Sequence, residues 1–413
     1  MLRGAGCGRT SYYENSSTVG SVLTVLRSGS VGQANQSAES GKRSPVGLDR
    51  ALVGPVLLFH VLTRGVVIVG LWLAAKWSGR SFAAVATRWD GRWYLRLAAN
   101  GYPSQLPMQA GQIRPSTAAF FPFFPWLTRP LMSIGVPFWL AAMVLNLLAS
   151  SAAVVVIVLV SNEYLDRRSA QLLGCLWTAF PVSAVLSTTY SEAVFTLLGA
   201  LCLLFVLRRR WILAGLAAAL AGATRPPGIV FAGAVGVAAI VAVVRRREWR
   251  SLIGAAIAPV GFIAAVGYIG WRVGRLDGWQ ATEHGGWHSR LTFGRGWLSW
   301  LNPSFWTTRT EIHFLIAVLA VVLIALSIAA LALRPPLPIA ALIVAGAFLA
   351  FAFGGVEMDS APRVMMAFFP VLAPLAVLLS RGPRAVRWPI LGLGSVLAAV
   401  VGGYYFAFAP ISP

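Results

Sequence analysis

Long uncharged apolar runs alternate with short polar segments along this 413-residue chain. Most of the runs approach or reach the about 20 residues that a helix needs to cross a bilayer, although the run at 211–223 is short for a full crossing. The pattern predicts an all-α, polytopic bundle of about eleven transmembrane helices. The predicted runs lie at 52–75, 138–160, 171–187, 193–207, 211–223, 228–244, 252–272, 312–333, 337–353, 364–380 and 388–408.

The composition agrees with a membrane protein. Hydrophobic residues make up 57% of the chain and charged residues 11%, whereas soluble proteins carry about 25% charged residues. The formal charge of +21 comes from arginines in short clusters between apolar runs, which is the arrangement that membrane topology produces. We therefore expect the lipid bilayer and its anionic headgroups as partners, and no nucleic acid.

The arginine clusters in the short loops all fall on one side of the predicted bundle. The positive-inside rule makes that side cytoplasmic and places the active site on the extracytoplasmic side. Residues 1–45 are rich in small polar residues and predict a disordered cytoplasmic leader, followed by a membrane domain at 46–413. The segments expected on the extracytoplasmic side are 76–117, 188–192, 224–227, 273–311 and 354–363.

The first extracytoplasmic loop is expected to carry interfacial helices. Residues 118–134 are aromatic and interrupted by three prolines, which favours an interfacial or re-entrant segment. Residues 88–103 read Arg-Trp-Asp-Gly-Arg-Trp-Tyr-Leu-Arg-Leu-Ala-Ala-Asn-Gly-Tyr-Pro, and their spacing predicts a helix over 90–99 that Asn100-Gly101 ends.

Asp90 would stand at the start of that helix, where two roles are compatible. As an N-cap, its carboxylate would accept backbone N–H bonds for about 1 kcal/mol. As a general base, it would take a proton from a sugar hydroxyl. An acid flanked by tryptophan and arginine at a membrane boundary points first to a functional site.

Arginines on the same face suit a phosphate-bearing lipid, because guanidinium binds phosphate oxygens in a planar fork. The alternative for each is snorkelling to lipid headgroups. Arg225 and Arg363 are favoured as phosphate ligands since they lie beside prolines at the ends of apolar runs. The candidates for donor phosphate or lipid binding are Arg88, Arg92, Arg225 and Arg363.

Further polar residues are candidates for sugar or acceptor contact. Glu192 follows Thr-Tyr-Ser at the mouth of an apolar run, where it either faces the positive helix end beside a Ser191 cap or binds a sugar hydroxyl. His284 and His288 would bind a metal only on a helix, and Gly285-Gly286 argues against one. We expect instead that His284, Trp287 or His288 contacts sugar or donor lipid, with no metal and no cofactor.

Five short motifs, taken in order, resemble the PIG-V-like mannosyltransferases of the GT-C superfamily. Each motif is weak alone, but together they span residues 89–370. They are Trp89-Asp90-Gly91-x-Trp93-Tyr94-x-x-x-Ala98-x-x-Gly101-Tyr102, the segments at 119–125, 190–195 and 223–228, and Ser360-Ala361-Pro362-Arg363 followed by Phe369-Pro370.

The resemblance implies a GT-C fold and transfer of a sugar, usually mannose, from a polyprenyl-phosphate donor with inversion. It implies that Asp90 is the base and that Arg225 and Arg363 match the arginines of the later family motifs. We expect Trp89, Trp93 and Tyr94 to contact sugar or acceptor. The composition suggests a GC-rich bacterium, so we expect the bacterial cell membrane and an envelope glycan, glycolipid or protein acceptor. The central loop with both histidines has no counterpart in the family pattern.

Two alternatives remain open at the level of sequence. One is a transferase that uses another lipid-linked sugar or acts on protein. The other is a transporter or flippase of polyprenyl-linked glycans. A transporter would bury charges near the middle of the membrane, whereas the acids here lie at the ends of apolar runs, which favours an enzyme.

Overall fold

The computed structural model describes residues 49–298, 300, 302, 311–354 and 357–411. Within these ranges the chain is mainly helical and forms no closed sheet. The leader predicted at 1–45 lies outside the described residues.

The helices are numbered here in chain order. They are α1 (Arg50–Trp77), α2 (Phe82–Ala86), α3 (Asp90–Asn100), α4 (Phe123–Ser133), α5 (Phe138–Ser161), α6 (Arg167–Thr178), α7 (Glu192–Leu207), α8 (Trp211–Thr224), α9 (Ile229–Arg246), α10 (Ser251–Ile257), α11 (Val260–Val273), α12 (Gly278–Gly286), α13 (Arg295–Leu298), α14 (Glu311–Ala332), α15 (Leu337–Ala352), α16 (Glu357–Met366), α17 (Ala373–Arg381) and α18 (Arg384–Ala407).

Two pairs of short antiparallel strands supplement the helices. Strands β1 (Met108–Gln109) and β2 (Gln112–Ile113) pair Met108 with Ile113 and form a hairpin in the first connecting loop. Strands β3 (Arg290–Leu291) and β4 (Phe353–Gly354) pair Arg290 with Gly354 and join the central loop to the end of α15.

Six stretches among the described residues are long and apolar enough to cross a membrane, so the chain is a multi-pass membrane protein. A seventh arises if Met358–Met366 in α16 and Phe369–Arg381, which ends with α17, count as one span despite the 83° bend at the break between them. The six stretches are Arg50–Trp77, Phe138–Ser161, Pro226–Arg246, Ser251–Val273, His313–Ala332 and Arg384–Ala407.

The predicted count of eleven crossings is therefore not confirmed, although every predicted run contains a helix. The reason is length. Helix α7 has 16 residues and rises only about 24 Å, which is short of a hydrocarbon core of about 30 Å. The run at 171–187 breaks into the 12-residue α6 and a 3₁₀ turn at Ser183–Ser187.

Interfacial helices α2, α3 and α4 connect α1 to α5, as the sequence predicts for the first loop. Helix α3 ends where Gly101 adopts a φ of 73° and its N–H bonds to the carbonyl of Leu97. One face of α3 is buried through Tyr94 and Leu97, while Arg92 lies on the exposed face. The buried face of α3 therefore turns toward the bundle.

A buried arginine in α1 organises part of the bundle interior. Arg64 lies near the middle of α1 and is 1% exposed. Its guanidinium donates to the carbonyls of Ser183 at 2.6 Å and Thr178 at 2.7 Å, so it satisfies backbone groups where α6 ends. His60, one turn earlier on α1, bonds to the hydroxyls of Thr178 and Ser150.

Candidate functional site

Four charged residues from separate parts of the chain meet at one end of the bundle, and we call them the charged cluster: Asp90, Glu192, Arg225 and Arg363. Arg363 Nη1 lies 2.6 Å from Asp90 Oδ2 and 3.3 Å from Glu192 Oε1. Arg225 also pairs with Glu192 Oε1. Because two carboxylates face two guanidinium groups, the cluster is close to neutral.

Helix packing explains why these residues converge. Helices α7 and α8 are antiparallel neighbours, so Glu192 at the start of one and Arg225 just after the other lie at the same end. Asp90 begins α3 in the first loop, and Arg363 lies on α16, the first half of the bent pair. The sequence predicts all four on one face of the membrane, and the structure brings them into contact.

Asp90 is not the N-cap of α3, so that prediction is wrong. Trp89 occupies the cap position with a φ of 57° and makes no side-chain capping bond, while Asp90 is the first helical residue. A positive φ is strained for a bulky residue and persists only where contacts hold it. Here the indole N–H of Trp89 donates to the carbonyl of Tyr405 at 3.1 Å. This backbone directs the Asp90 carboxylate toward Arg363.

Gly91 allows the 188–191 loop to approach α3 closely. The backbone N–H and the hydroxyl of Thr189 both donate to the carbonyl of Ala86, at 3.2 Å and 2.9 Å. A Cβ at residue 91 would lie 2.1 Å from Thr189 Oγ1. The glycine of the Trp-Asp-Gly motif is therefore required by packing beside the site.

Glu192 is 2% exposed and is the first residue of α7. Its Oε1 pairs with both arginines, while its Oε2 is buried without a hydrogen-bond partner among the described residues. Since a buried carboxylate oxygen normally has a partner, Oε2 is an acceptor available to a ligand.

Ser191 stands at the N-cap position of α7 but does not cap it, contrary to the prediction. Its hydroxyl instead forms a hydrogen bond of 2.7 Å with the phenol of Tyr94. Burial raises the pKa of Tyr94 to about 12, so Tyr94 is a neutral hydrogen-bonding group that ties α3 to the start of α7.

Of the two arginines in the charged cluster, Arg363 is buried and Arg225 is mostly buried. The side chain of Arg363 is 5% exposed and that of Arg225 is 12% exposed. Burial disfavours charge on Arg225, but the carboxylate of Glu192 and other neighbours outweigh burial and raise its pKa. Arg363 also donates to Ser360 Oγ at 3.0 Å, and its guanidinium lies 5.0 Å from the centre of the Tyr190 ring. Neither side chain extends to the surface as snorkelling would require.

The other two candidate phosphate ligands lie outside the charged cluster. Arg88 donates to the carbonyl of Ala409 at 2.8 Å and stacks on Trp89 at 4.4 Å. Arg92 is exposed, because two residues along a helix turn it to nearly the opposite face from Asp90. It lines a separate, mainly apolar cavity of about 430 Å³.

Aromatic side chains form a wall beside α3. Trp93 stacks on Phe120 with ring centres 6.0 Å apart, and Trp287 packs edge-on against both, at 5.4 Å and 5.9 Å. Trp287 comes from the central loop, so the structure joins this loop to the first one. The sequence motifs of the central loop gave no indication of that contact.

The two glycines of the central loop do not exclude a helix, contrary to the prediction. Helix α12 continues through Gly286, because both glycines pack tightly against the first loop. A Cβ at Gly285 would lie 2.9 Å from Ile113, and one at Gly286 would lie 3.1 Å from Pro115. His284 is exposed on the helix, whereas His288 is exposed beyond its end with a φ of 55°.

Tyr190, which was not among the predicted site residues, lies against the charged cluster. The hydroxyl of Tyr190 accepts the Asp90 N–H at 3.4 Å, and its ring faces Arg363. His313 Nε2 lies 4.0 Å from Asp359 Oδ1, one turn before Arg363 on α16. The sequence signal for Tyr190 was its place in the motif at 190–195.

No family model matches the chain, and no curated protein matches it. Two solved structures to which the chain is similar are those of ArnT from Cupriavidus metallidurans, one bound to undecaprenyl phosphate and one in the apo state. Both are 18% identical and cover 83% of this chain, with TM-scores of 0.47 and 0.46. The match spans 63% of the ArnT chain, which is less than two thirds of its length.

Proposed function

We propose that this protein is an integral membrane glycosyltransferase of the GT-C type. It transfers a sugar, which we take to be mannose, from a polyprenyl-phosphate donor to an envelope glycan, glycolipid or protein acceptor. Transfer takes place with inversion on the extracytoplasmic face of a bacterial cell membrane. The observation that carries this proposal is the contact between Arg363 and the carboxylates of Asp90 and Glu192.

Each member of the charged cluster has a role in such a transfer. Asp90 takes the proton of the acceptor hydroxyl as the hydroxyl oxygen attacks the anomeric carbon. The bond from that carbon to the phosphate oxygen breaks, and the polyprenyl phosphate leaves with the bonding electrons. Arg225 and Arg363 stabilise the charge that develops on this leaving group.

The pairing of Arg363 with Asp90 suggests how donor binding prepares the base. A phosphate at Arg363 and Arg225 competes with the two carboxylates for the same N–H donors. Once some of the Arg363 N–H groups donate to the phosphate instead of to Asp90, the Asp90 carboxylate is available to an acceptor hydroxyl. The Oε2 of Glu192, which has no hydrogen-bond partner in the part of the chain that the structure describes, accepts a hydrogen bond from a sugar hydroxyl.

The remaining candidates receive supporting roles. We assign sugar or acceptor contact to the aromatic wall of Trp93 and Trp287, with Trp89 holding the backbone in place. We assign contact with the acceptor to His284 and His288 of the central loop, which are both exposed. The reaction uses the lipid-linked sugar as co-substrate and calls for no cofactor or metal.

The test is Asp90→Asn in the purified full chain, assayed with synthetic polyprenyl-phosphate mannose. Loss of a general base should lower turnover about 10²–10⁴-fold. Because asparagine also removes a charge that faces buried Arg363, thermal stability is measured on the same sample. Asp277→Asn is the control, since Asp277 forms an exposed pair with Arg275. Near-normal turnover of Asp90→Asn would reject Asp90 as the base.

A transporter of polyprenyl-linked glycans is the second candidate, and buried Arg64 in the middle of α1 is the observation that favours it. Its bonds to the carbonyls of Thr178 and Ser183 give it a structural role instead. Proteoliposomes distinguish the two functions. A transporter moves labelled polyprenyl-phosphate sugar between leaflets without consuming it, whereas the transferase releases polyprenyl phosphate.

A further inference from the structure

We propose that Asn146, inside the membrane span α5, is a positioning residue for the charged cluster. It holds the backbone of the 188–191 loop, and through that loop it sets the positions of Tyr190 and Glu192. This inference rests on the proposed function for its effect on turnover, but its structural part is testable without any substrate.

Asn146 makes two short hydrogen bonds to one loop. Its side chain is completely buried, and Nδ2 donates to the carbonyls of Thr188 at 2.7 Å and Tyr190 at 2.6 Å. A side-chain amide in an apolar span is costly unless its hydrogen bonds are made; Nδ2 of Asn146 makes two, while Oδ1 is buried without a partner among the described residues. Here the amide also satisfies two buried carbonyls that lie outside regular helix, between the 3₁₀ turn and α7.

The loop that Asn146 holds is connected to three members of the charged cluster. The ring of Tyr190 faces Arg363, and its hydroxyl accepts the backbone N–H of Asp90. Glu192 follows two residues later and pairs with Arg363 and Arg225. A shift of the Tyr190 backbone therefore changes the relative positions of the base and the arginines.

A second contact keeps the loop docked when Asn146 is replaced. Thr189 donates twice to the carbonyl of Ala86 and is independent of Asn146. We therefore expect a variant at residue 146 to fold, with a local shift of the loop. A displacement of about 1 Å in a reacting group costs about 10²-fold in rate.

The test variant is Asn146→Leu, which keeps the number of side-chain heavy atoms and the branch at Cγ and removes both donors. The control is Thr63→Val, which removes another buried interhelical hydrogen bond, the 2.9 Å contact between Thr63 and Ser395. Both variants are purified as the full chain and compared with wild type by thermal unfolding and by hydrogen–deuterium exchange.

In Asn146→Leu, the peptide covering residues 188–192 should exchange at least about tenfold faster, the equivalent of one net hydrogen bond lost. Thr63→Val should leave that peptide unchanged even if it lowers the unfolding temperature. Unchanged exchange at 188–192 in Asn146→Leu, or an equal increase throughout α5, would overturn the proposal whatever the protein catalyses.

Turnover of polyprenyl-phosphate mannose adds the functional measurement. Asn146→Leu should lower kcat about 10–10²-fold, and Thr63→Val should stay within about twofold of wild type. If Asn146 acts through Glu192, the same substitution should cost far less kcat in a Glu192→Gln background. If the losses of kcat from Asn146→Leu and Glu192→Gln are fully additive, Asn146 does not act through Glu192. Absence of wild-type turnover would reject the proposed function and leave the exchange result standing.

Discussion

Replacing Gly91 by alanine tests whether close packing of α3 on the 188–191 loop fixes the position of Asp90. The new Cβ would lie 2.1 Å from Thr189 Oγ1, and the hydroxyl cannot turn away without breaking its 2.9 Å bond to Ala86. Gly91→Ala therefore either displaces the start of α3 or breaks that hydrogen bond.

The expected change in the free energy of unfolding follows from two destabilising contributions and one stabilising contribution. Overpacking of a close contact costs about 1–3 kcal/mol, and loss of the Thr189 hydroxyl bond costs about 1 kcal/mol. The better helix propensity of alanine returns at most about 1 kcal/mol. We expect Gly91→Ala to lower the free energy of unfolding by about 1–3 kcal/mol and to reduce turnover, because Asp90 is the preceding residue.

The measurement is thermal unfolding of purified protein in detergent at one scan rate, with turnover on the same samples. Gly233→Ala is the matched control, since it lies in helix α9 and, among the described residues, no atom beyond its chain neighbours and its own helix backbone lies within 4 Å of the added Cβ. Adding Thr189→Ala to Gly91→Ala removes the clashing oxygen and should recover stability and turnover, with a coupling of about 0.5–3 kcal/mol. Equal stability of Gly91→Ala and Gly233→Ala would refute the reasoning.

Two further predictions address the arginines and the topology. Arg225→Lys and Arg363→Lys keep a charge but lose the planar fork, so donor titrations should show weaker use of polyprenyl-phosphate mannose at normal expression; wild-type titration curves for both would exclude them as phosphate ligands. Topology is tested with single cysteines introduced at Gln105 or Arg246 in a chain whose Cys7 is replaced. In intact cells, the cysteine at 105 should react with an impermeant thiol reagent, and the cysteine at 246 should not. Reaction at residue 246 and not at 105 would invert the predicted orientation.

The local pattern of apolar and polar residues was sufficient to predict the all-α fold class and the two ends of helix α3. Hydropathy located a helix in every predicted run, because each apolar stretch favours burial in lipid or in the protein interior whatever its neighbours are. It did not give the number of crossings, since breaks within apolar stretches depend on tertiary partners. The end of α6, whose carbonyls are satisfied by Arg64, is such a break.

The sequence alone identified Asp90, Glu192, Arg225 and Arg363 as candidates, because charged residues are rare in this chain and stand in short motifs. Tertiary structure decided that they touch. Arg363 and Asp90 are 273 residues apart, and no local spacing encodes a contact over that separation. Packing likewise separated Arg92 from the cluster by placing it on the exposed face of α3.

Some residues take their role entirely from what packs against them. Gly285 and Gly286 predict a break in a helix when only the local chain is considered, yet α12 continues because the first loop leaves no room for a Cβ there. Asn146 is a polar residue in an apolar run, and its two carbonyl partners are defined only once α5 packs beside the 188–191 loop. Periodicity and composition report the burial of each element, whereas hydrogen bonds and ion pairs between distant elements exist only in the assembled fold.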